Sequence, residues 1–236
     1  MKEKILIVIP AYNEEKSILK TYSEIINYNK KNKTNYDVIV INDGSKDNTL
    51  KVLEENNIPH ISLIHNLGIG GAVQTGYKYA LMNNYDIAIQ FDGDGQHDVN
   101  YIKDLVEPIR DGKVNMVIGS RFVSSMDNFK SSKARRLGIN MISWLIKVKT
   151  GKKIYDTTSG FRAIDKNIIK IFSEDYPQEY PEPISSVNVL LKKKKVVEVP
   201  AKMKAREEGT SSITTFKSAY YMINVMLSII LLRRMK

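Results

Sequence analysis

The first half of the chain alternates between short apolar runs and longer stretches with helical periodicity. The apolar, β-branched runs are predicted to be strands: Ile5–Ile9, Val38–Ile41, Ile61–Ile64, Ile87–Phe91 and Met116–Ile118. The stretches between them are predicted to be helices: Glu14–Tyr28, Asn48–Glu55, Ala72–Met82 and Val99–Ile109. Nearly continuous apolar strands separated by helices are typical of a mostly parallel sheet covered on both faces. The pattern predicts a doubly wound α/β fold with its ligand crevice at the carboxyl ends of the strands.

The second half of the chain is less regular. A helix is predicted over residues 133–150 and a strand over Val196–Val199. Residues 219–232 are apolar apart from Asn224 and Ser228, and a helix of that length is too short to span a bilayer. We therefore expect one domain over residues 1–212 and a C-terminal helix within 213–236. That helix either serves a membrane interface or self-association, or packs into the core.

Composition and charge narrow the class of protein. The 236 residues include no cysteine, which excludes disulfides, thiolate zinc sites and a cysteine nucleophile. Residues 1–120 carry 13 Lys and Arg against 16 Asp and Glu, a net charge of −3. The remaining residues carry 23 against 10, a net charge of +13. The basic half favours an anionic partner, and nucleic acid, anionic lipid and a phosphorylated substrate all satisfy that condition.

Polar residues gather where the predicted strands end. Asp92-Gly93-Asp94 directly follows one strand, and two carboxylates separated by glycine can share one Mg²⁺ or Mn²⁺ ion. Gln96 or His97 would complete such a site. Asp and Gly also favour solvated turns, which is the alternative interpretation.

Two further groups of residues suit a nucleotide ligand. Asp43 ends the second predicted strand and would accept hydrogen bonds from a base or ribose, although a capped turn explains it equally well. The glycine-rich stretch 66–76 fits neither G-x-G-x-x-G nor the P-loop. Guanidinium groups suit a diphosphate because their planar fork donates two hydrogen bonds, and the candidates are Arg121, Arg206 and either Arg135 or Arg136.

Six motifs in order along the chain resemble those of glycosyltransferase family 2. They are Pro10-Ala-Tyr-Asn-Glu-Glu15, Asn42-Asp-Gly-Ser45, Asp92-Gly-Asp94, Gly119-Ser-Arg121, Asp156-Thr-Thr-Ser-Gly-Phe-Arg162, and Glu198-Val-Pro200 with Arg206 and Gly209-Thr-Ser-Ser212. The similarity covers nearly the whole chain. Within the family, the chain resembles the branch of dolichyl- and polyprenyl-phosphate sugar synthases.

The resemblance implies a GT-A fold and inverting, single-displacement transfer of a sugar from a nucleoside diphosphate. It assigns residues to the donor pocket (Pro10, Ala11, Tyr12, Glu14, Asp43, Asp92, Arg121), to the metal (Asp92, Asp94, Gln96), to donor or acceptor phosphates (Arg121, Arg135, Arg206, Ser211) and to catalysis (Asp94, Arg121, Asp156, Glu182). The implied cofactor is Mg²⁺ or Mn²⁺. UDP, GDP and dTDP donors all suit this motif set.

One departure from the family pattern concerns the acceptor. Similar sequences read Pro-Glu-Pro-Glu where this chain has Pro181-Glu-Pro-Ile184, and that second acid falls where relatives that modify hydroxyls place their general base. An ionised phosphate acceptor needs no base, so the resemblance favours polyprenyl phosphate. Alternatively, Glu182 or Asp156 takes the proton from a sugar hydroxyl of a growing lipid-linked polysaccharide. Loss of activity, leaving a binding module, is the third interpretation.

A lipid-linked acceptor implies contact with a membrane. Cationic residues surround the helix that carries Trp144: Lys130, Lys133, Arg135, Lys147, Lys149, Lys152 and Lys153. Such a helix favours an anionic interface, so we expect peripheral binding at the inner face of the cell membrane, reversible by high salt.

Two other classes of protein fit less well. A sugar nucleotidyltransferase would carry Gly-Thr-Arg after its first strand, where this chain has Pro10-Ala-Tyr. A nucleic-acid-binding module would not explain the acids at the strand ends, and the basic segments lack interleaved aromatic residues. We therefore expect no nucleic-acid partner, whereas the apolar C-terminal segment suits a homo-oligomer.

Overall fold

The core of the protein is one mixed sheet. The structure, a computed structural model, describes residues 3–123, 133–204 and 215–232, with side chains described from residue 136 in the fifth helix and from residue 220 in the last. Within these residues the strands are β1 (Ile5–Ala11), β2 (Asp37–Asn42), β3 (His60–Ser62), β4 (Ile87–Gln90), β5 (Met116–Ser120), β6 (Arg162–Asp165) and β7 (Val196–Pro200). Their order is β3-β2-β1-β4-β6-β5-β7. Only β6 runs antiparallel to its neighbours among these strands, which confirms the predicted mostly parallel α/β sheet.

Helices cover both faces of this sheet. They are α1 (Ile18–Asn32), α2 (Thr49–Glu55), α3 (Gly68–Met82), α4 (Ile102–Arg110), α5 (Lys133–Thr150), α6 (Lys166–Glu174), α7 (Pro181–Leu191) and α8 (Thr215–Leu231). The predicted helices and strands of the first half are all present, with ends shifted by a few residues. Strand β6 and helices α6 and α7 were not predicted, because the second half gives only short periodic signals.

The first strand shows why these residues form a doubly covered sheet. Every residue of β1 is buried, and its side chains alternate between two apolar clusters on opposite faces. Helix α3 lies directly on β1 because it carries glycine at the contact. A Cβ on Gly76 would come within 2.1 Å of Val8 Cγ1, so any side chain there would push the helix off the sheet.

The direction of β6 brings a second chain segment to the functional edge. Strands β4 and β5 end at the same edge, and β6 lies between them but begins there. The residues that precede β6, from Asp156 to Phe161, therefore lie beside the residues that follow β4. An all-parallel sheet would place them at the opposite edge.

The last helix shares the core with the rest of the chain. Val225 and Ile229 of α8 are fully buried in the same apolar cluster as Ile142 and Ile146 of α5. Lys149 Nζ also donates to the carbonyl oxygen of Ile230 at 2.6 Å. The division at residue 212 stays a prediction, since α8 packs on the domain along one face. None of the helices in the described ranges is long and apolar enough to cross a membrane.

Candidate active site

A cleft of about 920 Å³ opens where β1, β2 and β4 end. Seven of the predicted site residues line it: Pro10, Ala11, Tyr12, Glu14, Asp43, Asp92 and Asp94. They come from three strands that are adjacent in the sheet. The volume lies within the roughly 300–1,000 Å³ typical of small-molecule sites. The structure therefore gathers seven of the predicted donor and metal residues around one cleft large enough for a nucleotide-sugar, whereas Arg121 and Gln96 do not line it.

The segment after β1 forms one wall of this cleft. The carbonyl oxygen of Glu14 accepts the backbone N–H groups of Ser17 and Ile18, and its Oε2 accepts the Ser17 hydroxyl at 2.5 Å. The Glu14 N–H donates to Thr49 Oγ1 at 2.8 Å, which fastens the start of α1 to the start of α2. Tyr12 keeps 42% of its surface exposed, so its ring is available to a ligand.

Asp43 forms the base of the cleft. It is only 2% exposed, and its Oδ1 accepts the backbone N–H of Leu67 at 2.7 Å, just before α3 begins. Burial raises the pKa of Asp43, although the N–H groups of Leu67 and Gly68 partly offset this rise. The carboxylate thus holds the first turn of α3 against the end of β2.

The residues after β4 form a tight turn that presents two carboxylates. Asp94 Oδ1 accepts the Gln96 N–H at 3.0 Å across Gly95, whose φ of +74° favours glycine. Asp92 Oδ1 accepts Gln90 Nε2 at 3.2 Å. These hydrogen bonds fix both carboxylates at the strand end.

His97 supports this turn from inside the core. Its Nδ1 accepts the Asp92 N–H at 3.0 Å, and its ring stacks on Phe161 with centroids 4.8 Å apart. Burial lowers the pKa of His97, which favours the neutral ring that this hydrogen bond requires. Sequence reasoning offered His97 as an alternative metal ligand; its Nδ1 binds the backbone of the motif, and its Nε2 lies 3.5 Å from Asp92 Oδ2.

The chemistry of the two carboxylates fits a hard divalent cation. Among the described residues no cluster of three or more His, Asp or Glu side chains could hold a metal alone. Mg²⁺ is usually held by one or two carboxylates together with substrate phosphates and water, so Asp92 and Asp94 suffice. Gln96 Nε2 donates to the Lys204 carbonyl oxygen at 3.4 Å, which leaves its amide oxygen for the third predicted ligand position.

Gly160 makes room for Asp92 from the neighbouring strand. A Cβ at this position would lie 2.7 Å from Asp92 Oδ2 and 2.9 Å from Gln90 Nε2. A larger residue here would therefore force the side-chain ends of Asp92 and Gln90 to shift.

Arg121 and Asp156 form a buried ion pair behind the cleft. Arg121 Nε donates to Asp156 Oδ2 and Nη2 donates to Oδ1, each at 2.7 Å. The Arg121 backbone N–H adds a third hydrogen bond to Oδ2 at 3.0 Å. The side chains are 8% and 0% exposed. Both oxygens of Asp156 are thus engaged by the arginine that it orients.

Glu198 in turn holds Asp156, a contact that sequence reasoning missed. Its carboxylate accepts the backbone N–H groups of Tyr155 and Asp156, each at 2.7 Å. Burial raises the pKa of Glu198, while these two N–H groups lower it. The family motif around Glu198 was the available signal, but 42 residues separate it from Asp156 and nothing local indicates their contact.

Glu182 lies in the first turn of α7, close to a buried arginine. Arg162 Nη2 donates to the carbonyl oxygen of Glu182 at 2.8 Å, and Nη1 donates to Ser185 Oγ at 2.7 Å. Burial raises the pKa of Glu182, Arg162 opposes this, and the charge of Asp92 adds to the rise. The negative charge of Asp92 therefore disfavours ionisation of Glu182. Ile184 is partly buried on the same helix.

Three predicted phosphate contacts cannot be placed by their side chains. Arg135 belongs to α5, but its side chain lies outside the described residues, and so do Arg206 and Ser211 entirely.

The comparison with known families decides the classification. Residues 6–172 match the model of the family described as Glycosyl transferase family 2. The chain belongs to glycosyltransferase family 2. The match covers β1 through most of α6 and includes every strand end around the cleft.

Two relatives that align along nearly their whole length are named as transferases of sugars to lipid phosphates. A protein of Methanococcus voltae named UDP-N-acetylglucosamine–dolichyl-phosphate N-acetylglucosaminyltransferase is 33% identical over 251 aligned residues, covering 94% of this chain and 96% of the relative. An undecaprenyl-phosphate mannosyltransferase of Micrococcus luteus is 28% identical, with 89% and 88% covered.

Among solved structures, glucosyl-3-phosphoglycerate synthase of Mycobacterium tuberculosis, in complex with Mn²⁺, UDP and phosphoglyceric acid, has a TM-score of 0.69 at 17% identity. The similarity covers 98% of this chain and 80% of that one. It confirms the GT-A fold for this glycosyltransferase.

Proposed function

We propose that this glycosyltransferase moves a sugar from a nucleoside diphosphate to the phosphate of a membrane polyprenol, with inversion at the anomeric carbon. The observation that carries the proposal is the convergence of Asp43, Asp92 and Asp94 on one cleft at adjacent strand ends. The names of the full-length relatives support the lipid phosphate as acceptor.

The donor site combines recognition of the nucleoside with charge control at the diphosphate. Asp43 and the wall formed by Pro10 and Tyr12 receive the base and ribose. Asp92 and Asp94, with Gln96, would hold Mg²⁺ or Mn²⁺, and the Mn²⁺ and UDP in the solved relative support this assignment. A cation held by these residues would supply positive charge beside the departing diphosphate.

The contacts of the predicted catalytic residues favour a phosphate group over a sugar hydroxyl as the acceptor. An acceptor phosphate oxygen is already ionised, so it attacks the anomeric carbon without a base while the sugar–diphosphate bond breaks. Both carboxylate oxygens of Asp156 accept hydrogen bonds from Arg121, which suits a role in positioning Arg121 and not in proton transfer. Arg121, together with Arg135, Arg206 and Ser211, is assigned to the phosphates.

One observation favours a sugar hydroxyl as the second candidate acceptor. Burial and the charge of Asp92 raise the pKa of Glu182, which is a property of general bases tuned toward neutral pH. Glu182 would then take the hydroxyl proton in place of the acid that Ile184 replaces.

Contact with the inner face of a membrane completes the proposal. Four large apolar side chains of α5 are more than two-fifths exposed: Leu137 (62%), Met141 (45%), Trp144 (64%) and Val148 (63%). Exposed apolar residues on α8 include Ile223, Leu227 and Ile230. Lys147 and Lys152 flank this surface, which matches the anionic cytoplasmic leaflet. A homo-oligomer through the same helices is the competing use of this surface.

Thermal-shift binding of UDP-, GDP- and dTDP-sugars, each with and without Mn²⁺, tests the donor site. We expect one nucleotide to raise the melting temperature only with metal, because a ligand of the native state stabilises it by mass action. Asp94→Ala should abolish that shift, whereas Asp111→Ala, an exposed acid outside the cleft, should preserve it. If no nucleotide shifts the wild-type transition with metal present, the proposed function is wrong.

A further inference from the structure

The cleft at the ends of β1, β2 and β4 (the donor cleft) carries far more negative than positive charge. Seven carboxylates line it: Glu14, Glu15, Glu24, Asp43, Asp47, Asp92 and Asp94. Among the residues that the structure describes, Lys16 and Lys20 are the cations that line it. A nucleoside diphosphate is itself an anion, so its phosphates need positive charge within this cleft.

Lys16 and Lys20 reach the donor cleft from one side. Lys16 lies in the turn that leads into α1, and Lys20 lies in the first turn of that helix, four residues later. Residues with this spacing lie on the same side of a helical turn, and both lysines line the cleft. Both residues are exposed, so a ligand in the cleft can reach their ammonium groups.

Helix α1 is held directly against the turn after β4, which carries the predicted metal ligands. Thr21, the neighbour of Lys20, donates from its buried hydroxyl to the carbonyl oxygen of Gly93 at 3.2 Å. A Cβ on Gly95 would lie 3.7 Å from the oxygen of the same hydroxyl. The first turn of α1 therefore brings Lys20 to the part of the cleft where the proposed function places the diphosphate.

The next turn of α1 is fastened to the same part of the chain. Glu24 Oε2 accepts Lys204 Nζ at 2.7 Å, and the Lys204 backbone N–H donates to the carbonyl oxygen of Gln96 at 2.8 Å. Glu24 lines the cleft four residues after Lys20. Contacts on both sides of Lys20 thus fix the position of its backbone relative to the turn after β4.

The described arginine that was assigned to the phosphates lies outside this cleft. Arg121 is 8% exposed, and its guanidinium forms a buried ion pair with Asp156. It does not line the donor cleft, whereas both lysines do. The positive charge that the described residues place in the cleft therefore comes from Lys16 and Lys20.

The stability of α1 does not explain a cation at position 20. The helix dipole disfavours a positive charge in the first turn of a helix and favours it in the last turn. Lys30 and Lys31 occupy the favoured end of α1, whereas Lys20 occupies the disfavoured one. Binding of an anion gives Lys20 a role that helix formation does not.

We propose that Lys16 and Lys20 bind the diphosphate of the donor and offset part of its negative charge. The inference rests on the proposed function, because it takes the ligand of the cleft to be a nucleoside diphosphate. The family motifs assigned neither lysine to a ligand. Because the contact is one of charge, arginine can replace either lysine, whereas a neutral side chain cannot.

Isothermal titration with UDP, GDP and dTDP, each in the presence of Mn²⁺, tests this inference. The test variant carries Lys16→Gln and Lys20→Gln. The matched control carries Lys30→Gln and Lys31→Gln, which remove the same charge from the last turn of the same helix. For the nucleotide that binds the wild type, the test variant should have a Kd about tenfold higher than the control, since it loses charged hydrogen bonds to phosphate. Arginine at positions 16 and 20 should restore the Kd to within about threefold of the wild type.

The salt dependence of binding separates a charge contact from a change in the shape of the cleft. The difference in Kd between the test variant and the control should shrink at high salt, because screening weakens contacts between exposed charges. The inference is wrong if the test variant binds like the control. It is also wrong if the difference in Kd is the same at low and high salt, or if arginine does not restore binding.

The wild type separates this inference from the proposed function. If the wild type binds one of the nucleotides and the test variant binds it equally well, only the role of the lysines is overturned. If the wild type binds none of the three, the proposed function fails and this inference fails with it. Should the test variant not fold, the single substitution Lys20→Gln decides by the same comparison, with Lys31→Gln as its control.

Discussion

The buried pair of Arg121 and Asp156 makes a quantitative prediction for Asp156→Asn. The substitution keeps the shape of the side chain but leaves the Arg121 guanidinium, 8% exposed, without its countercharge. Removing one partner of a buried ion pair costs about 3–5 kcal/mol, and the remaining amide oxygen favours the lower end of that range. A loss of about 3 kcal/mol corresponds to a melting temperature lower by about 6–12 °C for a chain of this size.

Urea unfolding followed by far-UV circular dichroism measures this loss. The double variant Arg121→Gln with Asp156→Asn should be more stable than Asp156→Asn alone, because no unpaired charge stays buried. The exposed pair of Lys103 and Glu107, 3.4 Å apart, provides the control. Glu107→Gln should change stability by no more than about 0.5 kcal/mol.

Two results would refute this reasoning. One is a loss for Asp156→Asn no larger than that of the control. The other is strict additivity of the two single substitutions in the double variant, which would mean that the two side chains do not stabilise each other.

Three further predictions follow from the site and its surroundings. Asp43→Asn should weaken nucleotide binding about tenfold through loss of a charged acceptor. The unfolding free energy of this variant at neutral pH should equal or exceed that of the wild type, because burial raises the pKa of Asp43 and its ionised form therefore destabilises the folded state. The difference should vanish below the pKa of Asp43 in the unfolded chain, where the wild-type side chain is protonated in both states. Urea unfolding at a series of pH values measures this difference. Gly160→Ala should reduce the metal-dependent thermal shift, because the added methyl group displaces the Asp92 carboxylate, and an unchanged shift would contradict the close approach. Trp144→Ser should weaken co-sedimentation with anionic vesicles, and high salt should release the wild type; retention in high salt would count against peripheral binding.

The sequence predicted the elements whose signal is local. The run Ile5–Ile9 is continuously apolar, and the acids at 92 and 94 follow a similar run, so the sheet and its functional edge could be inferred together. The family motifs then predicted the nucleotide and metal roles, and the structure gathers most of these residues around one cleft.

The elements that were not predicted depend on distant contacts. Strand β6 has only four residues and begins with Arg162. An arginine usually lies at the surface, and this one is buried because Ser185 and the carbonyl oxygen of Glu182 accept its hydrogen bonds. The pairing of Asp156 with Arg121 spans 35 residues. No periodicity over such a separation could reveal either contact.

The pairing of β6 with β4 also bears on how the protein reaches its native state. Gln90 pairs with Arg162, and a shift of the register by one residue would turn every side chain of β6 to the opposite face. Arg162 would then enter the apolar layer that Ala163 and Phe161 occupy, and Gly160 would leave Asp92. A misregistered chain could keep its helices, and hence its circular dichroism, while losing catalysis. Recovery of enzymatic turnover after refolding would therefore report the correct register of β6. A delay between the return of the circular dichroism signal and the return of turnover would measure how long β6 takes to pair correctly.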